Sequence, residues 1–557
     1  MTKYQSSITK LFVALLVILL LSSTMLAQDR PAGEAGGTLV IGLQQEPASL
    51  IFAEYAIPVS AQYYIPLLMN EPLVKVDHEF NMVPGLLAEV PTTENGGISE
   101  DYRVYTLTLR PDLVWDDGEP ITMNDLAYTQ SWLTNPDNNA AATHGWEQVE
   151  SIDVSDDGLT AVVTLTEPNV FWMSDAVIGM GILPEHAMEA SGTRDNFNAA
   201  PVGNGPFKFV EWALGDHITF ERNDLYFRGP SYLDRVIVRV IPDSNAYVAQ
   251  AIAGDFQIGL GYDETAVPQL EDADTLEVIL TNWPFVERIL LNQTIPGELD
   301  TPHPILSDIN VRKALIYSID KQIIVDSLFG GINELAVNQL QGTRWFNEDL
   351  VPYPYNPDES RRLLDEAGWV DEDGDGIREK DGQRLSLSYS TTAGNRTREA
   401  IQAIVQQNAA DVGIELTIDN YPPPAFFGGF NGVLFGRRYE LGQHGNGIFT
   451  FAPNMAFWWH SDSIPTAERP FGSSATGWSD PHVDELLDEF AAGVDDERGR
   501  EILNEVQQII YDAYVWIPLY QRAVVFTVAN NVTNVNPTVY GSTAGLFWEP
   551  YNWAIEQ

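Results

Sequence analysis

No cysteine occurs in the 557 residues, and only 30 Lys and Arg stand against 79 Asp and Glu. The first absence excludes disulfides, thiolate metal sites, iron–sulfur clusters and a cysteine nucleophile. It also excludes a lipid anchor attached through cysteine. The shortage of basic residues, only seven of them Lys, leaves a formal net charge of −49. A surface so negative repels phosphate backbones and anionic headgroups, so no nucleic-acid partner is expected. Familiar catalytic signatures are missing as well. There is no GxSxG elbow, HExxH helix, P-loop or GxGxxG turn, and the eight His include no i,i+4 pair. Among 79 carboxylates chance pairs are certain, so spacing selects no acid–base dyad. Nothing in the chain asks for an enzyme, and a secreted hydrolase is the distant alternative.

What is present suits large cores: 44% hydrophobic and 11% aromatic residues, and a length that predicts two or three domains. At the N-terminus Lys3 and Lys10 flank a polar start, and Leu11 to Leu21 is apolar without interruption before Ser22, Ser23 and Thr24. A basic start, an apolar run of this length and a small-residue exit describe a signal peptide or N-terminal anchor over residues 1–35. The run is short for a membrane span. Ala27 follows a poor Met25, and Gly33 and Ala35 lie far from the run, so cleavage and retention both stay open. Export is expected either way.

Further along, Gly37 to Gly42 predicts a short buried strand. Tyr105–Leu109 and Ala161–Leu165 alternate, and 207–212, 218–221 and 236–241 are also strand-like. The second half changes character. Asn356-Pro357 opens a helix with Leu363, Leu364 and Ala367 on one stripe. Leu385, Leu387 and Tyr389 alternate, Ile401 to Val412 recurs at helical spacing, and Ile414, Leu416 and Ile418 alternate again. Strand, helix, strand with short joins predicts a crossover onto a parallel sheet. Ligands of such sheets sit outside the carboxyl ends of the strands, which points to 390–395 and the chain from Asn420 onward. Asp480-Pro481 opens another amphipathic helix with Val483, Leu486, Leu487 and Phe490 inward.

Two clusters carry chemistry. Asp371, Asp373, Asp375 and Gly376 match the start of a calcium loop, with the Ile377 carbonyl and Glu379 as further oxygens. The closing Glu is absent, since Gly382 occupies its place, and the loop joins a helix to a strand. The expectation is a structural calcium here and no other cofactor. Aromatic residues form the second cluster: Trp283, Trp345-Phe346, Phe449, Phe451, Phe457-Trp458-Trp459 and Phe547-Trp548. Consecutive Trp458 and Trp459 in a loop cannot both face one core, so at least one is expected to line a cavity.

Several phrases, taken in order, resemble one family. They are Gly37-Thr-Leu-Val-Ile-Gly42, Leu113-Val-Trp-Asp-Asp-Gly-Glu-Pro-Ile-Thr-Met-Asn-Asp125 and Gly203-Asn-Gly-Pro-Phe-Lys-Phe209. Tyr232-Leu-Asp-Arg-Val236 with Ile241-Pro-Asp243 follows, then Leu291-Asn292, 311–320 and Asp373-Gly-Asp-Gly-Ile-Arg378. The chain resembles the extracellular solute-binding proteins of family 5, the oligopeptide, dipeptide and nickel group that serves ABC importers. The resemblance runs from about 37 to 555. It implies an α/β, two-lobed periplasmic-binding-protein-like fold with a hinge (type II, cluster C) and an extra inserted domain. Lobe I would comprise 36–75, 201–290 and 520–557, the insert 76–200, and lobe II 291–519. Hinge segments would fall at Leu290–Asn292 and Pro518–Arg522.

The implied role is a monomeric extracytoplasmic receptor that hands an oligopeptide-type ligand to an importer permease. Peptide-binding members place a carboxylate after a strand that resembles Tyr439-Glu-Leu441, yet Gly442 to Ser461 holds no Asp or Glu. An oligosaccharide or other neutral polar ligand is therefore the alternative. Gln443, His444, Asn446, Trp458, Trp459 and Trp283 are the candidate ligand-binding residues.

Overall fold

The alternating stretches become strands and the capped stripes become helices. The computed structural model describes residues 30–47, 49–51, 65–77, 81–138, 140, 145–177, 181–447, 453–467, 469, 473–494, 496–537 and 547–556, without the side chains of 175, 282–284 and 496. The apolar run at Leu11 to Leu21, with Phe449 and Phe451, lies outside these residues. Val104–Thr108 and Thr160–Leu165 bury every second side chain and pair antiparallel, and Val149–Val154 completes a three-stranded sheet. Asn356 caps Pro357–Glu366 by accepting from the Glu359 N–H at 3.1 Å. Asp480 caps Pro481–Ala491 by accepting from the His482 N–H at 2.9 Å. Each cap satisfies a donor that the first helical turn leaves unpaired.

Eleven strands form one mixed sheet. Its order is Glu415–Ile418, Ser386–Ser390, Leu441–Gly447, Leu276–Leu291, Trp516–Ala529, Ile258–Tyr262, Thr38–Leu43, Arg235–Val240, His217–Arg222 and Phe207–Ala213, with Glu334–Leu335 also against Trp516–Ala529. The predicted crossover is there: Ser386–Ser390 and Glu415–Ile418 run parallel, joined through the helix Arg396–Ala410.

Two strands are unusually long, Leu276–Leu291 with 16 residues and Trp516–Ala529 with 14, against about 5–6 in ordinary sheets. Each serves two sets of cores. Phe526 and Val528 pack with Leu39, Val236 and Ile258, and Val525 with Tyr247 and Leu270. At the other ends, Ile289, Leu291 and Ile517 pack with Leu387 and Ile401, while Val286, Leu290 and Trp516 pack with Tyr439 and Leu486 on the opposite face. The molecule thus has two lobes that share this antiparallel pair. Its register breaks between Asn282 and Val286, opposite Ala523 and Gln521, where the chain passes from one lobe to the other.

That crossing point overlaps the expected Pro518–Arg522 segment but lies N-terminal to Leu290–Asn292. Leu290 and Leu291 are buried on opposite faces of the second lobe's sheet, and the Asn292 side-chain amide donates to the carbonyls of Arg437 and Tyr439.

The phrases around Trp115 and Gly203 turn out to brace each other. Asp116 accepts from the Gly203 N–H at 3.0 Å, and its own N–H donates to the Gly203 carbonyl at 2.8 Å. A Cβ on Gly203 would meet the Met69 carbonyl oxygen at 2.1 Å, so only glycine lets this backbone lie against that of Met69. Thr122 and Asp125 form a capping box for the helix Met123–Thr134. Among the described residues no helix is long and apolar enough to cross a membrane.

Phe171, Val170 and Tyr102 depart from the division into lobes. Phe171, within the 76–200 segment, is buried in the second lobe's cluster with its ring 5.6 Å from Phe490. Tyr102 lies against Gly493, where a Cβ would come within 2.1 Å of its ring. Burying a Phe contributes about 1.5–3 kcal/mol. Phe171→Ala should therefore raise amide hydrogen exchange in Pro481–Ala491 by about tenfold or more. Unchanged exchange there would show that the contact carries no stability.

Candidate functional site

Ser386–Ser390 and Glu415–Ile418 end side by side, and the chains beyond them remain bridged at Thr392 and Tyr421. Leu441–Gly447 pairs with Ser390 through Gly442 and then continues past that end. Its residues 443–447 pair with Phe285–Ile289 of the crossing strand. These continuations therefore meet at the crossing point, outside the carboxyl ends of the parallel strands and between the lobes, where such sheets bind ligands.

A charged pair sits there in the wall. Glu287 is buried at 2% exposure, and Arg398 reaches it with Nε at 2.7 Å and Nη2 at 3.2 Å. This two-pronged geometry is the strong form of a carboxylate–guanidinium contact. Gln443 Nε2 donates to Glu287 at 3.1 Å and the Tyr389 hydroxyl donates to Gln443 at 2.6 Å. Arg398 also donates to the Thr392 hydroxyl at 3.1 Å. Arg398 lies in the first turn of Arg396–Ala410, where a helix dipole disfavours a cation, so Glu287 is what holds it there. Burial opposes the guanidinium's charge, but Glu287 outweighs it and raises the Arg398 pKa above its ordinary value. Toward the other lobe, Arg522 stacks on Phe285 at 5.4 Å with its Nε 3.8 Å from Glu264.

The opposite face of the same strands is built differently. Arg288 and His444 are register partners. Arg288 is 2% exposed, its guanidinium 5.3 Å from the Trp458 ring centre and 5.4 Å from that of Trp516. With its amide oriented to satisfy both donors, Gln339 accepts from Arg288 Nη1 at 3.2 Å and from Trp459 Nε1 at 3.1 Å. Arg288 Nε has no partner among the described residues, and burial lowers this pKa to about 10. His444 Nδ1 donates to the Gly445 carbonyl at 3.0 Å while Nε2 has no partner among the described residues. Burial first, then Arg288 and Arg398, holds the imidazole well below its usual pKa, so it is neutral. Beside Gln339 and Trp516 lies a cavity of about 10 Å³, also walled by Met455 and Gln507, with room for one water.

The candidate residues separate accordingly. Successive strand residues point to opposite faces. Gln443 therefore joins Glu287, whereas His444 and the half-buried Asn446 share the face of Arg288. Trp459 is a core residue at 2% exposure, packed on Trp478 and Trp516, and only the half-buried Trp458 lies over Arg288. Trp283 lies in the crossing strand, with its side chain outside those described. Glu287, Arg288 and Arg398 were not among the candidates. Their signal was in the sequence: Glu287-Arg288 is a pair of charges inside the apolar run from Phe285 to Leu291. An acid does reach the acid-free strand, because Glu287 lies against Gly445, where a Cβ would come within 2.8 Å of its carboxylate.

At the acidic loop, Asp371, Asp373 and Asp375 each offer an oxygen within 4.8 Å of the others, all three residues exposed. Asp371 accepts from the N–H groups of Gly374 and Gly376, and Glu379 from that of Glu372. Arg384 Nη1 lies 2.6 Å from Asp375 and 3.6 Å from Glu379. A side-chain cation therefore already answers two of the five expected ligands.

The sequence profile described as "Bacterial extracellular solute-binding proteins, family 5 Middle" matches residues 81–467. The chain is 31% identical over 391 residues to the oligopeptide-binding protein AppA of Bacillus subtilis (strain 168), covering 69% of each. Among solved structures, AppA from Bacillus subtilis in complex with a nonapeptide matches with a TM-score of 0.72 at 24% identity, covering 94% of this chain and 100% of that one. NikA from Brucella suis in complex with Fe(III)-EDTA matches with a TM-score of 0.78 at 20% identity, covering 93% and 100%. These structural likenesses bear on the fold.

Removing one member of a buried pair leaves the other charge unanswered, at about 3–5 kcal/mol. Glu287→Gln should lose stability on that scale in urea unfolding, and adding Arg398→Gln should recover most of it. A milder single variant would mean that water reaches the pair. For the acidic loop, calorimetric titration should give weak calcium binding, about millimolar, that tightens in Arg384→Gln. No change on removing Arg384 would show that it does not compete for the loop.

Proposed function

Because the chain belongs to family 5 of the bacterial extracellular solute-binding proteins, we propose that it is the exported receptor of an ABC importer and that its ligand is an oligopeptide. The observation that carries this reading is the site's position: a polar, charge-compensated wall at the crossing of two strands that belong to both lobes. A ligand that touches both lobes favours the closed arrangement over the open one, and a permease distinguishes the two. The oligopeptide assignment is supported by the 31% identity to a protein named for that ligand.

The wall's charged groups answer each other instead of converging on one point, as a general acid and base would, which supports a receptor and not a hydrolase. The sugar alternative is weakened. Its residue set splits, with Gln443 on one face, His444 and Asn446 on the other, and Trp459 in the core. Leu11 to Leu21 is the export signal or anchor of this reading, and without cysteine any attachment is not a lipid on that residue.

The chain without its first 35 residues, mixed with synthetic peptides of four to nine residues and with oligosaccharides, tests the reading by thermal shift and tryptophan fluorescence. Peptide at a hundredfold excess over Kd should add about 2.7 kcal/mol of stability. The same peptide should be recovered intact by mass spectrometry. Saturation by sugars alone would move the protein to the alternative ligand class, and fragments of the bound peptide would overturn the receptor role.

A further inference from the structure

We infer that the leader is cut between Ala27 and Gln28, leaving a free receptor that keeps Arg30 and the residues after it as a strap on the first lobe. The inference rests on the export reading above and chooses between two cutting points that the sequence leaves open.

Residues 30–37 are fitted into the first lobe. Arg30 uses every nitrogen of its guanidinium. Nε donates to the Asn552 side-chain oxygen at 3.0 Å, Nη1 to the Pro230 carbonyl at 2.8 Å and Nη2 to the Tyr551 carbonyl. The same group lies over the Tyr232 ring, 3.8 Å from its centre. The next residues continue the contact. The Pro31 carbonyl accepts from the Tyr232 hydroxyl at 2.9 Å, and the Ala32 carbonyl from the Asn534 side-chain amide at 3.0 Å. The Gly36 N–H donates to the Tyr232 carbonyl at 2.8 Å, and the Gly37 N–H to the Asp234 carboxylate at 3.1 Å. Arg30 and Asn552 are 522 positions apart, so the strap ties the start of the cut chain to residues 551–554.

A leader peptidase selects small residues two positions apart, the second just before the cut. Gly33 with Ala35 satisfies that rule better than Met25 with Ala27. The structure gives Gly33 a different reason to be small. A Cβ there would come within 2.7 Å of the Tyr232 ring and 2.9 Å of the Ala554 Cβ. Cutting after Ala35 would also discard Arg30, leaving the Pro230 and Tyr551 carbonyls without that donor and Tyr232 without its cation. A segment bound for removal has no physical reason to match so many partners. Ala27 is the only alanine between the apolar run and Arg30. Leu11 to Leu21 is about half as long as a membrane span, so the run serves as a leader and not as a lasting anchor. In the host's peptidase water breaks the Ala27–Gln28 amide, giving a carboxylate on Ala27 and an ammonium on Gln28.

Expression of the full chain in a secreting bacterial host, with mass spectrometry of its N-terminal peptide, reads the cut. The exported, soluble fraction should begin at Gln28. Any other first residue, Gly36 above all, overturns the cutting point, and so does a membrane-bound chain with its leader in place.

The strap is tested apart from export, in chains made without a leader. Residues 28–557 and 36–557 both keep Leu39 and the rest of the first lobe's core. The amides of Asn552, Trp553 and Glu556 are hydrogen-bonded. Their hydrogen exchange should be about tenfold faster or more in 36–557, and likewise in the longer chain with Arg30→Ala. Should 36–557 fail to fold, Arg30→Ala still makes the comparison. Equal exchange in all three chains overturns the strap. A full chain that stays uncut in the cytoplasm sinks the export reading and the cut with it, and faster exchange in Arg30→Ala then upholds the strap alone.

Discussion

Everything in this fold hangs on one antiparallel pair. Leu276–Leu291 and Trp516–Ala529 are the strands around which both lobes assemble, and their pairing breaks at Asn282 and Val286. On one side of the break their side chains complete the cores around Leu39 and Tyr247. On the other they complete those around Leu387 and Tyr439. Two strands joined by backbone hydrogen bonds flex far more easily where register is lost than where the ladder is continuous. The ladder shifts register again between Glu287 and Arg288, so the irregular stretch of the pair lies between the two sets of cores.

The site follows from that arrangement. The parallel strands of the second lobe end beside the break, so the loops after them, the continuation of Leu441–Gly447 and the middle of the crossing strand share one location. Charges placed there are removed from water and must be answered. Glu287 and Arg398 answer each other, the guanidinium coming from the first turn of the helix Arg396–Ala410. Among the described residues Arg288, one residue away on the reverse face, is answered by rings and an amide. The contrast between the two faces of one strand is a contrast between a structural pair and an open valence.

Much of this was legible beforehand, for reasons that lie close to the chain. Alternation marked the strands at 104–108 and 160–165 because a half-buried sheet demands period two. Asn356-Pro357 and Asp480-Pro481 marked helix starts because a first turn has free N–H groups and a preference for Pro's fixed φ. The ordered phrases around Trp115 and Gly203 marked the family, and the structure joins them through the two hydrogen bonds between Asp116 and Gly203. The site was less legible. Consecutive positions such as Gln443 and His444 look like one cluster in a sequence but face opposite ways in a strand, and Trp458 and Trp459 part company by the same kind of geometry.

By itself, then, the sequence determined the absence of thiol chemistry, the acidic exterior, the elements and the family. These depend on composition, short-range spacing and motifs that need no partner across space. Only the tertiary structure decided which charges meet. Glu287 and Arg398 are 111 positions apart, and Arg288 and His444 lie on strands whose register no local pattern records. Burial turns such meetings into the dominant energies of the site, because a charge taken out of water depends on its nearest neighbours for compensation. Those neighbours are chosen by the fold.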